Sequence, residues 1–182
     1  MTSPSDAIVD IGENMTIPTY HAYLDIETTG LSPDCARITV IGIYLVNGRR
    51  HRLIQLVGDE VTRVNLLKAL NNVQTIYTYN GSRFDLPFIN ACLDTDLNEG
   101  YQPYDLMYEC WRNNLYGGLK AVEEQLSIPR QLKGISGFDA VILWWRYHDY
   151  GDDDALALLL EYNKEDVVNL QALRERLKNY QP

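Results

Sequence analysis

The run from Arg37 to Val46, RITVIGIYLV, constrains this chain more than any other segment. It is rich in β-branched residues and reads as a central strand, which commits the chain to a sheet. Asn47-Gly48 follows, a strong hairpin signal, and Arg49 to Val57 reads as the returning strand. Upstream, YHAYLDIE from Tyr20 to Glu27 is a first strand, with the turn cluster TTGLSPD after it. Downstream, Val61, Val64, Leu67 and Leu70 recur at helical spacing within Glu60 to Asn72. Gln74 to Tyr79 reads as a fourth strand, Phe84 to Leu93 as a helix with Pro87 in its first turn, and Tyr101 to Leu106 as a fifth strand. From Met107 onward the pattern is helical, ending in a long helix from Asp153 to Asn179. Three hairpin-joined strands followed by helices that alternate with two more strands predict an α/β domain, one mixed sheet flanked by helices. That domain spans residues 19 to 180. Residues 1 to 18, rich in Ser, Pro, Asp and Asn, read as a tail or irregular lead-in.

A chain of 182 residues buries enough surface to fold without a disulfide or a structural metal. Its 25 acids outnumber its 16 bases, for a net charge of −9. A non-specific nucleic-acid coat protein, which needs a strongly basic surface, is excluded. An enzyme that grips nucleic acid through bound cations is not. Cys35, Cys92 and Cys110 are an odd number without a CxxC, which argues against a disulfide framework or a zinc site and for a reduced, cytoplasmic setting. The opening MTSPSDAIVD has no basic or apolar region of a secretory signal. ALALLLEY, the richest apolar run, is too short to span a bilayer, so no membrane association is expected.

Several acids stand where apolar residues belong. Asp25 and Glu27 are two apart in a strand pattern and therefore point to one face, while Leu24 and Ile26 fill the other. If the strand is central, two carboxylates share a semi-buried face and need a compensating cation; an edge strand with a solvated acidic face remains the other reading. In the C-terminal helix, Leu156, Leu159, Leu160, Val167, Leu170, Leu173 and Leu177 form one apolar stripe. Asp166 falls inside it, with Tyr162 one turn back on the same face. Asp166 is a ligand or an acid paired with a Lys or Arg, and Tyr162 a functional or a core tyrosine. Glu161, Glu165 and Glu175 point elsewhere, as solvated charges. Asp85 follows the Asn80-Gly81 turn at a helix start, where the helix dipole also favours an acid. Oxygen ligands without His or Cys suit Mg²⁺ or Mn²⁺ rather than zinc. A strand pair plus two helix-borne acids is what a two-metal phosphoryl-transfer site needs. Two divalent ions would bring the net charge from −9 to −9 + 4 = −5.

Three motifs stand in order: Leu24-Asp25-Ile26-Glu27-Thr28-Thr29-Gly30, then Asn80 to Asp85 (NGSRFD), then Tyr162 to Asp166 (YNKED). With them the chain resembles the DEDD, or DnaQ-like, 3′–5′ exonuclease superfamily on the ribonuclease-H-like fold. Glu161 stands where the histidine subclass has its histidine, so the tyrosine subclass is implied. RITVIGIY, GGLKAVEEQLSI and LLLEYNKEDVVNL resemble the stand-alone YprB-like branch. The likeness runs from about Tyr20 to Leu177. It implies a five-stranded mixed sheet of order 3-2-1-4-5, with strand 2 antiparallel to the rest. It implies that Asp25, Glu27 and Asp166 hold one metal, that Asp25 touches a second, and that Asp85 supports the second largely through water. Tyr162 would orient the attacking water, and Thr28, Leu31, Asn80 and Phe84 would hold or wedge the terminal nucleotide.

The expected function is a 3′–5′ exonuclease that uses two divalent cations, Mg²⁺ or Mn²⁺, on single-stranded DNA or RNA 3′ ends and releases nucleoside monophosphates. A structure-selective endonuclease or ribonuclease H on the same fold, and a non-catalytic nucleic-acid-binding module, are the alternatives. No protein partner is implied. Asp105 resembles a family acid of supporting or structural role. Arg83 and Lys120 adjoin the motifs and are candidates for phosphate contact, as is the basic tip Arg49-Arg50-His51-Arg52, which a solvated strand explains equally well.

Overall fold

A computed structural model describes residues 19–180; the lead-in expected over residues 1–18 lies outside the described residues. The elements follow in the order β1 (Tyr20–Thr28), β2 (Ile38–Asn47), β3 (Arg50–Val57), α1 (Arg63–Ala69), β4 (Val73–Thr78), α2 (Asp85–Leu93), α3 (Leu97–Gly100), β5 (Gln102–Asp105), α4 (Leu106–Arg112), α5 (Leu119–Gln125), α6 (Gly137–Tyr150) and α7 (Asp153–Lys178). The strands form one sheet of order β3-β2-β1-β4-β5. β2 runs antiparallel to β1 and β3, while β4 and β5 run parallel to their neighbours. This is the expected mixed sheet. Among the described residues, no helix is long and apolar enough to cross a membrane.

The differences from the sequence reading are local and have local causes. Asn47 is the last rung of the hairpin, opposite Arg50. The two-residue turn is therefore Gly48-Arg49, with the positive φ of 57° on Gly48, as a turn with glycine in its first central position requires. The helix expected from Glu60 starts later, because Gly58–Glu60 coils into a 3₁₀ turn. Thr62 then caps α1, its hydroxyl accepting the Asn65 N–H at 3.2 Å. At the far end the helix stops at Ala69 with Leu70 as its cap, and Asn72 beyond it takes a left-handed φ of 61°. The short α3 was not expected; Asp96 caps it and Leu97 anchors it in the core.

The two faces of the sheet are covered differently. One carries Ala22, Leu24, Ile26, Ile41, Ile43 and Leu45, which pack with Leu66, Phe88, Ile89 and Leu97 of α1 to α3 into a continuous apolar core. The opposite face is covered by α4 to α7, and its apolar packing is split. Tyr23 and Tyr77 pack with α4, α5 and the Leu170, Leu173 and Leu177 end of α7. Val40 packs with Ala140, Leu143 and Trp144 of α6 and with Ala155, Leu159 and Tyr162 of α7. Between the two clusters runs a polar row: Asp25, Gly42 and Gln55 are paired rung to rung across β1, β2 and β3. The stripe of α7 is interrupted above that row by Asn163 and Asp166, both buried.

Gly42 is what lets α7 lie this close. A Cβ at that position would sit 2.1 Å from Asn163 Oδ1 and 2.8 Å from its Cγ. Gly42→Ala is therefore expected to destabilise the fold by about 1–3 kcal/mol, the range for overpacking. Gly100→Ala, where a Cβ meets open space, should change stability by less than about 0.5 kcal/mol. Urea unfolding of both variants checks this; equal effects would mean that α7 is not held against the sheet at Gly42.

Candidate active site

The interruption in the packing is a cluster of acids. Asp25 and Glu27 project from β1 to the face that α7 covers, and Asp166 of α7 meets them. Each of the three can place one carboxylate oxygen so that all lie within 4.8 Å of one another. Glu27 and Asp166 are each 6% exposed. Asp85 approaches from the edge of the strand. Pairing between β1 and β4 ends at Tyr23 and Tyr77, and beyond it Asp85 Oδ1 accepts the Ile26 N–H at 3.1 Å. A backbone donor that the sheet leaves open is thereby satisfied, and a fourth carboxylate is fixed beside the other three. Asp85 stays outside the tight three-oxygen set.

Burial dominates the electrostatics of this corner. It pushes Asp25 and Glu27 well above the usual carboxylate range, and their acidic neighbours push them further. Asp85 is raised to about 7, again chiefly by burial. Asp166 is raised by burial and pulled back by Arg130. Glu27 Oε1 is buried with no hydrogen-bond partner among the described residues. An orphaned carboxylate oxygen inside a set of carboxylates fits a hard divalent cation such as Mg²⁺ or Mn²⁺.

Arg130 is the largest feature that sequence reasoning missed. Its guanidinium grips Glu123 with two bonds, Nε to Oε2 at 2.7 Å and Nη2 to Oε1 at 2.8 Å, and Nη2 also bonds Asp166 Oδ1. The paired-acid reading of Asp166 is thus met, with one carboxylate oxygen taking the arginine. Glu165 is not the solvated charge expected. It accepts the backbone N–H groups of Gln131 and Leu132 and so ties the segment that carries Arg130 to α7. Only a tertiary contact reveals this, because the helical wheel turns Glu165 away from the stripe.

Tyr162 is buried one turn before Asp166 and packs with α6. Lys120 Nζ lies 4.5 Å above its ring centroid and the Arg130 guanidinium 6.0 Å from it. Burial, with Asp166 and Glu27 nearby, pushes its phenol upward, so it stays protonated. Lys120 reaches this corner as the sequence suggested, donating to the Ile135 carbonyl. Arg83 is exposed on the turn before α2. The basic tip lies toward the hairpin end of β3, where Arg50 precedes Gln55 by five residues, about 17 Å.

Of the remaining expected positions, Thr28 ends β1, Leu31 stands on the loop after it, and Asn80 and Phe84 lie on the turn before α2. The Thr28 hydroxyl donates to the Gly30 carbonyl at 2.6 Å. Thr29 and Arg37 close the loop between them, and Leu31 stands on it 88% exposed. Asn80 takes a left-handed φ of 61°. Asp105 pins that turn, accepting the Asn80 N–H at 2.8 Å, the Ser82 N–H at 3.1 Å and the Ser82 hydroxyl at 2.7 Å. Asp105 is accordingly a structural acid. Phe84, at the end of the same turn, packs against Phe88 with ring centroids 5.5 Å apart.

Residues 22–178 match the RNase_H superfamily. Solved structures of similar fold include NrnC of Brucella melitensis bound to pGG, with a TM-score of 0.61 and 23% identity over 94% of this chain and 76% of that one. NrnC with bound Mg²⁺ is another, with a TM-score of 0.56 and 21% identity over 94% and 77%. E. coli exonuclease I in complex with a 5cy-dA13 oligonucleotide is a third, with a TM-score of 0.50 and 14% identity over 90% and 41%. At such identities the likeness is one of fold. No curated protein matches the chain.

The raised carboxylates set a pH dependence. An acid whose folded-state pKa lies above its unfolded value holds the folded state back only where it must ionise. For Asp85 the penalty is absent below its ordinary value of 3.8, grows as pH rises, and is complete above about 7. Asp25 and Glu27 act in the same direction. In chelator, the protein is expected to melt at a lower temperature near pH 8 than near pH 5, and Asp25→Asn should flatten that slope. Thermal melts across this range check it; a melting temperature that climbs with pH in the unaltered protein would contradict the electrostatic account.

Proposed function

The chain belongs to the RNase_H superfamily, and from that premise we propose that it is a metal-dependent 3′–5′ exonuclease acting on single-stranded DNA or RNA ends. The carrying observation is the convergence of Asp25, Glu27 and Asp166 within 4.8 Å, with Asp85 on the strand edge beside them and Tyr162 one helical turn away. The ligands seen with proteins of similar fold, pGG and Mg²⁺ on NrnC and an oligonucleotide on exonuclease I, are of the two classes such a site would take. The three free cysteines accord with a cytoplasmic setting.

Asp25, Glu27 and Asp166 would hold one Mg²⁺ or Mn²⁺, and Asp25 would touch a second that Asp85 supports largely through water; when bound, the two ions would neutralise the phosphate and make the attacking water a stronger nucleophile. The rest falls to the chain's own groups. Thr28, Asn80 and Phe84 would hold the terminal nucleotide. Leu31, apolar and 88% exposed, would wedge against the terminal nucleotide. Lys120 brings positive charge to an acidic corner that a phosphate must enter. The Tyr162 hydroxyl, kept protonated by burial, orients the water against the scissile phosphate. Release of a nucleoside monophosphate and a step to the next residue complete a turn.

Incubating 3′-labelled and 5′-labelled single strands with Mg²⁺ or Mn²⁺ tests this reading. Stepwise ladders from the 3′ end are expected; internal cuts would mean an endonuclease, and intact strands a binding module. Tyr162→Phe should slow turnover roughly 10²-fold while changing stability by about 1 kcal/mol or less. An unchanged rate with a lowered melt would make Tyr162 a core residue only.

A further inference from the structure

Asn163 lies next to Tyr162 in α7, is fully buried, and bonds neither a backbone partner of its own helix nor solvent. Its Nδ2 donates to Asp25 Oδ2 at 3.2 Å and toward the Asp25 carbonyl at 3.4 Å. Its Oδ1 accepts from Gln55 Nε2 at 3.1 Å. Gln55 Nε2 also donates to the Leu160 carbonyl at 2.8 Å. The link spans three strands: Asp25, Gly42 and Gln55 are successive partners in the sheet, and the amide lies over the empty place of Gly42, where a Cβ would be 2.1 Å from it.

The polarity of this relay follows from one group. A backbone carbonyl can only accept, so Leu160 compels Gln55 to present its NH₂ end. The second proton of that NH₂ then compels Asn163 to present Oδ1, and its Nδ2 must face Asp25. We propose that Gln55 and Asn163 are positioning residues, a neutral relay that fixes the rotamer of Asp25 and offers it a donor without adding a competing positive charge. Arg130 grips Asp166 as a cation would; Asn163 holds Asp25 in place and leaves its charge for a divalent ion. Outer partners of this kind orient metal-binding carboxylates, and their loss typically weakens metal affinity 10–100-fold. The inference deepens the proposed reading of the site and rests on it.

Gln55→Glu tests the relay from outside the cluster. The substitution keeps the size and, once ionised, turns the donor into an acceptor, so Asn163 can no longer both accept from residue 55 and donate to Asp25. Mn²⁺ binding is measured by titration calorimetry on the chelator-treated protein, without nucleic acid. The dissociation constant is expected to rise about tenfold or more. Simple electrostatics predicts the opposite, since an added negative charge near a cation site should tighten binding. Gln55→Met, neutral and unable to donate, should weaken binding likewise and decides the matter if Gln55→Glu folds poorly. In the nuclease assay the half-saturating Mn²⁺ concentration should rise in step, while KM for the oligonucleotide at saturating Mn²⁺ stays the same. Equal or tighter Mn²⁺ binding by both variants would overturn the relay. Weakened Mn²⁺ binding in a protein that leaves strands intact would overturn the nuclease reading and leave the relay standing.

Discussion

Carboxylates of like charge, buried together between β1 and α7, are the constraint around which this molecule is arranged. Ionised and uncompensated, such a group would push the helix off the sheet. The chain meets this with three devices. Asp166 is gripped by Arg130, itself anchored by Glu123. Asp25 is held by the neutral amide of Asn163. Asp85 takes a backbone N–H that the sheet leaves unpaired. What remains is Glu27, with a buried oxygen that nothing among the described residues satisfies.

That constraint explains why the core on the α7 side is split. A continuous apolar layer would exclude the acids, so the polar row of Asp25, Gly42 and Gln55 separates a tyrosine-rich cluster from a tryptophan-containing one. Both clusters clamp α7, one toward each end of the helix, and hold its middle against Gly42. The opposite face needs no such break, and there the packing is continuous.

Much of this was legible in the sequence because its signals are local. Strand alternation put Asp25 and Glu27 on one face, and helical periodicity put Asp166 inside an apolar stripe. Asn47-Gly48 marked the hairpin, although the rung formed by Asn47 moved the turn by one residue. The partners that make the acids tolerable were not legible, because they are distant in the chain. Arg130 lies 36 residues from Asp166, Gln55 108 from Asn163, and Asn163 138 from Asp25. Glu165 misled for a related reason: its wheel position faces away from the sheet, but the loop that carries Arg130 folds back over it. The resemblance to the DEDD exonucleases filled part of that gap by supplying strand order and a grouping of acids that periodicity alone cannot provide.

The central claim, that these acids form a cation centre, is tested most directly by diffraction from crystals soaked in Mn²⁺, with the metal located by its anomalous signal. Manganese bonded to oxygens of Asp25, Glu27 and Asp166, with Asp85 at the side of the site, is the predicted result. Manganese elsewhere or nowhere, with the four carboxylates unchanged and Arg130 still bonded to Asp166, would contradict it.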